Sequence, residues 1–343
     1  MKTSVAILGA TGYSGSELIR LLNNHPQFKV THLGAHSQAG KKAGDVLPGI
    51  SGKMASMTLA ASDIPLADDI ELVFTALPHG AAAESVRNAL HAGKKVVDLS
   101  ADFRHQSHDT YKAAYQTEHP CPELFKDAVY GLTEFAKDAV ASSRLVANPG
   151  CYPTSVLLPL IPLLKSGLLD SKGIVIDAKT GISGAGRSTR QGLLYCEINE
   201  GVAAYGMPRH RHTWEMEEWA KTFSGKDTTV RFVPHILPMT RGMLATLHLT
   251  GEKTTDWHAI LCESFANEKF VNILPLGTLP STHGVKGSNR CDIGITVTGE
   301  HEVVVVSCID NLIKGASGQA IQNANLMFGF EEDMGLSATA VWP

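Results

Sequence analysis

A chain of 343 residues is long for one average domain and comfortable for two, each able to bury its own core. With 43% hydrophobic and 19% charged residues it has the balance of a folded protein and excludes a disordered chain. A net charge of −4 and a pI near 6.4 leave no cationic excess to draw the chain onto phosphate backbones, so nucleic acid is not an expected partner.

No apolar run approaches the roughly 20 residues that span a bilayer. The first strand-like segment starts within four residues of Met1, leaving no room for a cleavable leader, so a cytoplasmic protein without membrane contact is expected. That segment, Ser4 to Leu8, ends in Gly9-Ala10-Thr11-Gly12-Tyr13-Ser14-Gly15, and helical spacing begins at Glu17. Further strands are predicted at Phe28 to Ala35, Glu71 to Leu77 and Lys95 to Leu99, with an Ala-rich helix ending near His91. Apolar strands alternating with helices predict a doubly wound parallel sheet, an α/β fold of Rossmann type. After Gly150 a helix is predicted from about Tyr152 to Leu164. Strands follow at Ile174 to Ala178, Val230 to Ile236, Met243 to Thr250, Ile293 to Thr298 and Val303 to Ile309. Their alternation and β-branched content predict a mixed or antiparallel sheet, hence an α+β second domain. The stretch Lys314 to Phe330 reads as a helix returning to the first domain. The expected division is residues 1–150 completed by 312–343, and residues 151–311 for catalysis and subunit contact.

A glycine turn between strand and helix lets backbone N–H groups approach a pyrophosphate at a helix start. Gly9, Gly12 and Gly15 have that placement, and Thr11, Tyr13 and Ser14 complete the expected dinucleotide site. An NAD enzyme commonly carries a carboxylate about 20 residues further on, for the ribose 2′-hydroxyl. This chain instead reads Gly34-Ala35-His36-Ser37-Gln38-Ala39-Gly40-Lys41-Lys42, so NADP(H) is expected, with Ser37 and Lys41 at its 2′-phosphate. Pro78 and His79, at the end of a buried strand, are candidates to line the nicotinamide pocket.

Six cysteines, at 121, 151, 196, 262, 291 and 308, form neither CxxC pairs nor zinc-finger spacings, so no metal site is expected. Cys151 alone follows a Pro-Gly turn and opens an apolar helical run, with Pro153 in the first turn where its missing N–H costs nothing. The partial positive charge of a helix start favours thiolate over thiol and lowers a pKa that is about 8.5 in free cysteine. Cys151 is thus the expected nucleophile.

The segment Asn148-Pro149-Gly150-Cys151-Tyr152-Pro153-Thr154 resembles the active-site signature of the N-acetyl-γ-glutamyl-phosphate reductase family. The resemblance extends through Asp98 to Arg104, Tyr130 to Glu134, Lys179 to Arg187, His210-Arg211-His212 and Asp310 to Ala316, over essentially the whole chain. It implies a Rossmann domain plus a mixed catalytic domain of the aspartate-semialdehyde and glyceraldehyde-phosphate dehydrogenase type. It also implies arginine biosynthesis, a small-molecule acyl phosphate substrate and a homo-oligomer, dimer or tetramer. Trp214-Glu215 stands where the family often has Pro-Glu, and Gly150 precedes the cysteine where those cousins have Asn or Ser.

Of 15 histidines, His210 and His212 are the catalytic candidates. The resemblance favours His210, as an imidazolium donating to the developing alkoxide or leaving phosphate, with His212 as its alternate or a substrate contact. The small residues of Gly181-Ile182-Ser183-Gly184-Ala185-Gly186-Arg187 suit an anion, and Arg104 is a second cation. Ser183, Arg187, Arg104 and Asn148 are therefore expected at the substrate, and Ser183, Gly184 and Asn311 at the cofactor. The expected reaction is thiolate attack on an acyl phosphate, hydride transfer to the thioester and release of the aldehyde. Rival readings are a reductase of another acyl phosphate (N-acylated aminoadipyl or aspartyl), a nucleotide-sensing protein that lost catalysis, and a Cys–His hydrolase.

Overall fold

The computed structural model describes residues 2–61, 65–187, 190–253 and 256–342. The chain divides into two units, Met1–Pro149 with Ala316–Leu336, and Gly150–Gly315 with Ser337–Pro343.

The first unit is built on six strands, β1 (Thr3–Leu8), β2 (Phe28–Gly34), β3 (Ile70–Thr75), β4 (Lys95–Asp98), β5 (Ala128–Tyr130) and β6 (Leu145–Ala147). They pair in parallel in the order β2-β1-β3-β4-β6-β5. The period of two decides which side chain meets which helix. Val5 and Ile7 pack with Leu18, Ile19 and Leu22 of helix α1 (Tyr13–Leu22) and with Ala320, Ile321 and Ala324 of the C-terminal helix Gly318–Met327. Ala6 and Leu8 point the other way, toward Val86 and Ala89 of helix α2 (Ala83–His91). Both faces are covered, which is why these strands read as continuous apolar runs.

His25 fastens the C-terminal segment onto this unit. Its Nδ1 accepts the Phe28 N–H at 2.9 Å, and its Nε2 faces Asn325 Oδ1 at 3.1 Å and the Met334 carbonyl at 3.0 Å. Burial lowers its pKa below the ordinary histidine value, against the raising effect of its Asn325 and Met334 contacts.

The second unit holds seven strands, β7 (Ile174–Gly181), β8 (Ala203–Ala204), β9 (Val230–Leu237), β10 (Met243–Thr250), β11 (Val271–Ile273), β12 (Cys291–Val297) and β13 (Glu302–Ile309). Their order is β11-β12-β13-β10-β7-β9-β8, antiparallel through β12, β13, β10 and β7, with parallel pairs β7/β9 and β11/β12. The sheet is therefore mixed. Helix α3 (Cys151–Lys165) is buried from Tyr152 to Leu164 and packs on β10, β13 and helix α4 (Arg211–Ser224). A helix apolar on every side needs such complete cover.

The expected changeover at residue 312 differs from the observed one. Leu312–Gly315 stay with the second unit, where Gly315 backs onto Cys151. Ser337–Pro343 also return to it: the Ser337 carbonyl accepts from Asn289 N at 2.8 Å, and the Val341 N–H donates to the Lys286 carbonyl at 2.7 Å. The stretch expected to be helical from Lys314 opens as a wider π turn, Ile313–Ser317, before the α-helix starts at Gly318.

Candidate active site

The three glycines of the first turn do different work. Gly9 has φ +84°, and a Cβ there would lie 2.3 Å from the Ala76 carbonyl oxygen, so only glycine lets the turn after β1 lie against the end of β3. A Cβ on Gly15 would lie 2.2 Å from the Gly9 oxygen, so this glycine permits helix α1 to approach the strand. Gly12, the N-cap of α1, is different: the nearest contact for its Cβ would be the Gly9 oxygen at 3.5 Å. The protein leaves room at Gly12. That division fits a pyrophosphate, which needs one glycine for the turn, one for the ligand's approach and one for helix packing. The turn lies at the fork of the sheet, between β2 and β3, where open α/β folds bind ligands.

Thr11 and Ser14 lie half-buried in the turn and Tyr13 is exposed. Ser14 also lends its carbonyl to Ser317 Oγ at 2.9 Å. Ser37 and Lys41 are exposed just past β2, and Lys41 Nζ reaches Gln38 Oε1 at 2.9 Å. Pro78 and His79 follow β3. His79 stacks on Tyr115 with ring centroids 4.0 Å apart, and its Nδ1 lies 3.0 Å from Asp102 Oδ1. Asp102 also accepts the N–H groups of Gly80 at 2.7 Å, Ala82 at 3.0 Å and Ala83 at 3.2 Å. Burial pushes its pKa up, but the His79 contact and the Gly80 and Ala82 bonds outweigh that and hold the carboxyl below its ordinary range. Asp102 shapes the His79 turn and was missed as a site residue, although it lies in the quoted Asp98 to Arg104 segment.

Two expected substrate residues also have structural tasks. Arg104 is buried, its Nε bonded to the Asn148 carbonyl and its Nη2 to the Leu99 carbonyl, both at 2.8 Å. Asn148 is 1% exposed: its Nδ2 donates to the Ala316 carbonyl at 3.2 Å, and its Oδ1 accepts from Asn323 at 3.3 Å. Its amide is spent at both ends on holding the segment after residue 316. Asn311 is similar in the second unit, accepting the Gly242 N–H at 2.8 Å and donating to Ser183 Oγ at 2.9 Å. It anchors the small-residue loop from within, while Gly184 and Arg187 are exposed on it.

Cys151 is partly buried and is the first residue of α3, with Gly150 as N-cap. The first intrahelical bond runs from Thr154 N to the Gly150 carbonyl at 2.9 Å, so the N–H groups of Cys151 and Tyr152 precede the ladder. The Gly150 N–H donates to Glu215 Oε1 at 2.8 Å, and Glu215 is fully buried. This bond ties the start of α3 to α4, the helix carrying the histidines. A Cβ on Gly315 would fall 2.8 Å from the Cys151 Cβ, so the π turn lies directly against the nucleophile. Glu215 and Gly315 brace the start of α3 and were not singled out in the sequence. The spacing His212 to Glu215 on a helix was the available signal for the first.

His210 is the N-cap of α4, and its Nδ1 accepts the His212 N–H at 3.1 Å. Tyr152 lies edge-on to His210 and His212, with centroids 6.1 and 5.9 Å away. The Tyr205 hydroxyl donates to that of Tyr152 at 3.1 Å. Burial raises the pKa of both tyrosines, Tyr205 to about 12, and the Cys151 charge adds to both shifts. Burial, with Arg211 assisting, pushes the His210 imidazole down to about 4. That burial works against the imidazolium expected at His210. His212 is buried in the first turn of the same helix.

Residues 4–143 match the family model of the semialdehyde dehydrogenase NAD binding domain, and residues 151–311 match the semialdehyde dehydrogenase dimerisation domain. The chain is 47% identical to N-acetyl-gamma-glutamyl-phosphate reductase of Geobacter sulfurreducens, over 99% of each chain. The chain belongs to the N-acetyl-gamma-glutamyl-phosphate reductase family. It is 45% identical to the Pelotomaculum thermopropionicum member over 100% of both chains. It is also 43% identical to a probable chloroplastic member from Arabidopsis thaliana, over 99% of this chain and 85% of that one. As a member of this reductase family, the chain is an oxidoreductase with an NAD(P)-binding domain.

Among solved structures, aspartate semialdehyde dehydrogenase II of Vibrio cholerae aligns with TM-score 0.73 at 16% identity, over 96% of this chain and 99% of that one. The Candida albicans enzyme with NADP aligns with TM-score 0.70 at 17% identity, over 97% and 100%. These likenesses establish the shared fold of the family member. Among the described residues, no helix is long and apolar enough to cross a membrane.

Proposed function

We propose that this chain catalyses the NADPH-dependent reduction of N-acetyl-γ-glutamyl phosphate to N-acetylglutamate 5-semialdehyde and phosphate, in arginine biosynthesis. The supporting observation is Cys151 at the start of a buried helix, braced by Gly315 and joined through Glu215 to the helix of His210 and His212. The positive end of α3 favours an ionised sulfur there.

The Cys151 thiolate attacks the acyl carbon, a C–S bond forms, and the bond to the phosphate oxygen breaks. His212 hands a proton to the leaving phosphate and is reloaded from solvent. When bound, NADPH would supply the hydride that reduces the Cys151 thioester to a thiohemiacetal alkoxide. Its collapse releases the aldehyde and returns the thiolate. The N–H groups of Cys151 and Tyr152, at the helix start, face the acyl oxygen as its charge grows. Gly9, Gly12 and Gly15 would hold the pyrophosphate, with Ser37 and Lys41 at the 2′-phosphate and His79 at the nicotinamide. Arg187 anchors an anionic group of the substrate. The working form is a cytoplasmic homo-oligomer, dimer or tetramer.

The test is the reverse reaction, phosphate-dependent reduction of NADP⁺ by N-acetylglutamate semialdehyde, run beside aspartate semialdehyde. Cys151→Ser should lower kcat by at least about 10³-fold with NADP⁺ binding intact. Activity surviving in the serine variant removes the thioester route, and preference for aspartate semialdehyde removes the substrate.

A further inference from the structure

We propose that Asp310 is a positioning residue for Cys151: its buried carboxylate fixes the wide turn that sets Gly315 against the nucleophile. The inference rests on the Cys151 reading above, and every residue it uses lies in the second unit.

The turn owes its width to one acceptor. Strand β13 ends at Ile309, and the carbonyl of the next residue, Asp310, accepts the N–H groups of Ile313 at 3.1 Å and Gly315 at 3.0 Å. A bond to the fifth residue on is the π pattern, whereas an α turn would close on Lys314. One residue of an α-helix corresponds to about 100° of rotation, so the narrower turn would aim Gly315 elsewhere. In the wide turn a Cβ on Gly315 would lie 2.8 Å from the Cys151 Cβ and 3.2 Å from its Cα. Bare backbone therefore touches the nucleophile where a side chain has no room. Single π turns recur at functional sites.

The Asp310 side chain holds that acceptor in place. It is fully buried, so its charge has to be met by donors. Oδ1 accepts the Leu312 N–H at 2.9 Å, which fixes the first bend of the turn. Arg241 Nε lies 3.3 Å from Oδ1 and 3.2 Å from Oδ2, and its Nη2 lies 3.3 Å from Oδ1. Oδ2 accepts the Gly287 N–H at 2.8 Å. Segments around 241, 287 and 312 thus converge on one carboxylate. Asn311 accepts the Gly242 N–H and reaches Ser183 Oγ, so the chain is pinned at two successive residues. A buried ion pair is weak evidence of stability, and what this one supplies is a single defined geometry.

The Gly287 contact extends outward. Gly287 has φ +78°, and a Cβ there would lie 2.7 Å from Val341 Cγ2. The Val341 N–H donates to the Lys286 carbonyl at 2.7 Å, and the Asn289 N–H to the Ser337 carbonyl at 2.8 Å. Residues 337–341 are laid over the loop that grips Asp310. Direct contacts therefore run from Val341 through Gly287, Asp310 and Gly315 to Cys151.

Two substitutions test this from different segments. Asp310→Asn keeps an acceptor for Leu312 but turns an N–H toward that of Gly287 and removes the charge that Arg241 meets. Gly287→Ala leaves Asp310 intact and strains the backbone whose N–H reaches Oδ2, while Val341, 61% exposed, can yield so that the fold survives. The readouts are kcat per titratable Cys151 thiol, the KM for NADP⁺, Tm, and the rate at which iodoacetamide alkylates Cys151, followed by peptide mass spectrometry. Asp310→Asn should lower kcat about 10–100-fold and Gly287→Ala about 3–10-fold, with the KM for NADP⁺ unchanged. The Cys151 alkylation rate should change about threefold or more in both. A lower Tm with kcat per thiol and alkylation unaltered, in either folded variant, makes Asp310 purely structural and overturns the proposal. Should Asp310→Asn not fold, Gly287→Ala decides alone. An active Cys151→Ser enzyme beside altered alkylation sinks the nucleophile and leaves the turn's hold on that sulfur standing. An inactive Cys151→Ser enzyme beside unaltered alkylation sinks this proposal alone.

Discussion

The glycine turn of the first unit and the cysteine region of the second both begin a helix with a glycine N-cap, yet they are assembled in opposite ways. The turn comes from seven consecutive residues, Gly9 to Gly15, and needs from elsewhere the Ala76 carbonyl beside Gly9, the Gly34 carbonyl that accepts from Gly9 and Ala10, and Ser317 on the Ser14 carbonyl. The cysteine region draws on Gly150 to Tyr152, Tyr205, His210 to Glu215 and Gly315. Local construction leaves Gly12 open, whereas convergent construction crowds Cys151. A substitution should therefore hurt binding in the first and chemistry in the second.

Gly315→Ala probes the crowded region and should have a larger effect than the substitutions that follow. Its Cβ would overlap the Cys151 Cβ at 2.8 Å, and displacing the nucleophile by a fraction of an ångström should cut kcat about 10–100-fold with the KM for NADPH unchanged. Stopped-flow measurement of the acyl-transfer step checks this, and an unaltered rate would mean that the π turn yields freely. Gly12→Ala probes the open turn. Its Cβ meets the Gly9 oxygen at an ordinary 3.5 Å, so Tm should hold while the KM for NADPH rises about tenfold. A drop in Tm without a change in KM would invert the comparison.

The smallest expected effect concerns two histidines, one in each unit, that share a device. His25 and His210 both accept a backbone N–H at Nδ1, and both have pKa values lowered first by burial. A histidine with a depressed folded pKa contributes full stability above its unfolded value of about 6.5. As pH falls through that value the unfolded chain gains a proton that the folded one refuses, and stability declines. Thermal melts should show Tm falling by a few degrees from pH about 7.5 to about 5, with a shallower slope in His25→Asn. A flat profile in the unsubstituted protein would show that neither ring is held neutral.

Much of the architecture was readable in advance because burial leaves a periodic trace. The strand Met243–Thr250 was predicted to the residue, and β1, β2, β7, β9 and β13 within a few. The three-residue strands β5 and β6 were missed, since so short a run carries no period and gains its identity from parallel pairing with β4 and with each other. The C-terminal helix was expected from Lys314 and begins as an α-helix at Gly318, because the chain must first pass Cys151 at Gly315. Within the site, Cys151 stood out through local helix-start chemistry. Asn148 and Arg104 carry groups suited to substrate, and only the tertiary structure shows that they also hold the backbone.

The residue order alone determined where strands and helices fall, that a glycine turn follows the first strand and that a cysteine opens a buried helix. Each depends on neighbours a few positions apart. Only the tertiary structure decided that Glu215 grips the backbone before Cys151, that Gly315 lies against it and that burial works against a charged His210. Those outcomes depend on burial and on which hydrogen-bond donors reach a given atom, and both are set by segments far apart in the chain.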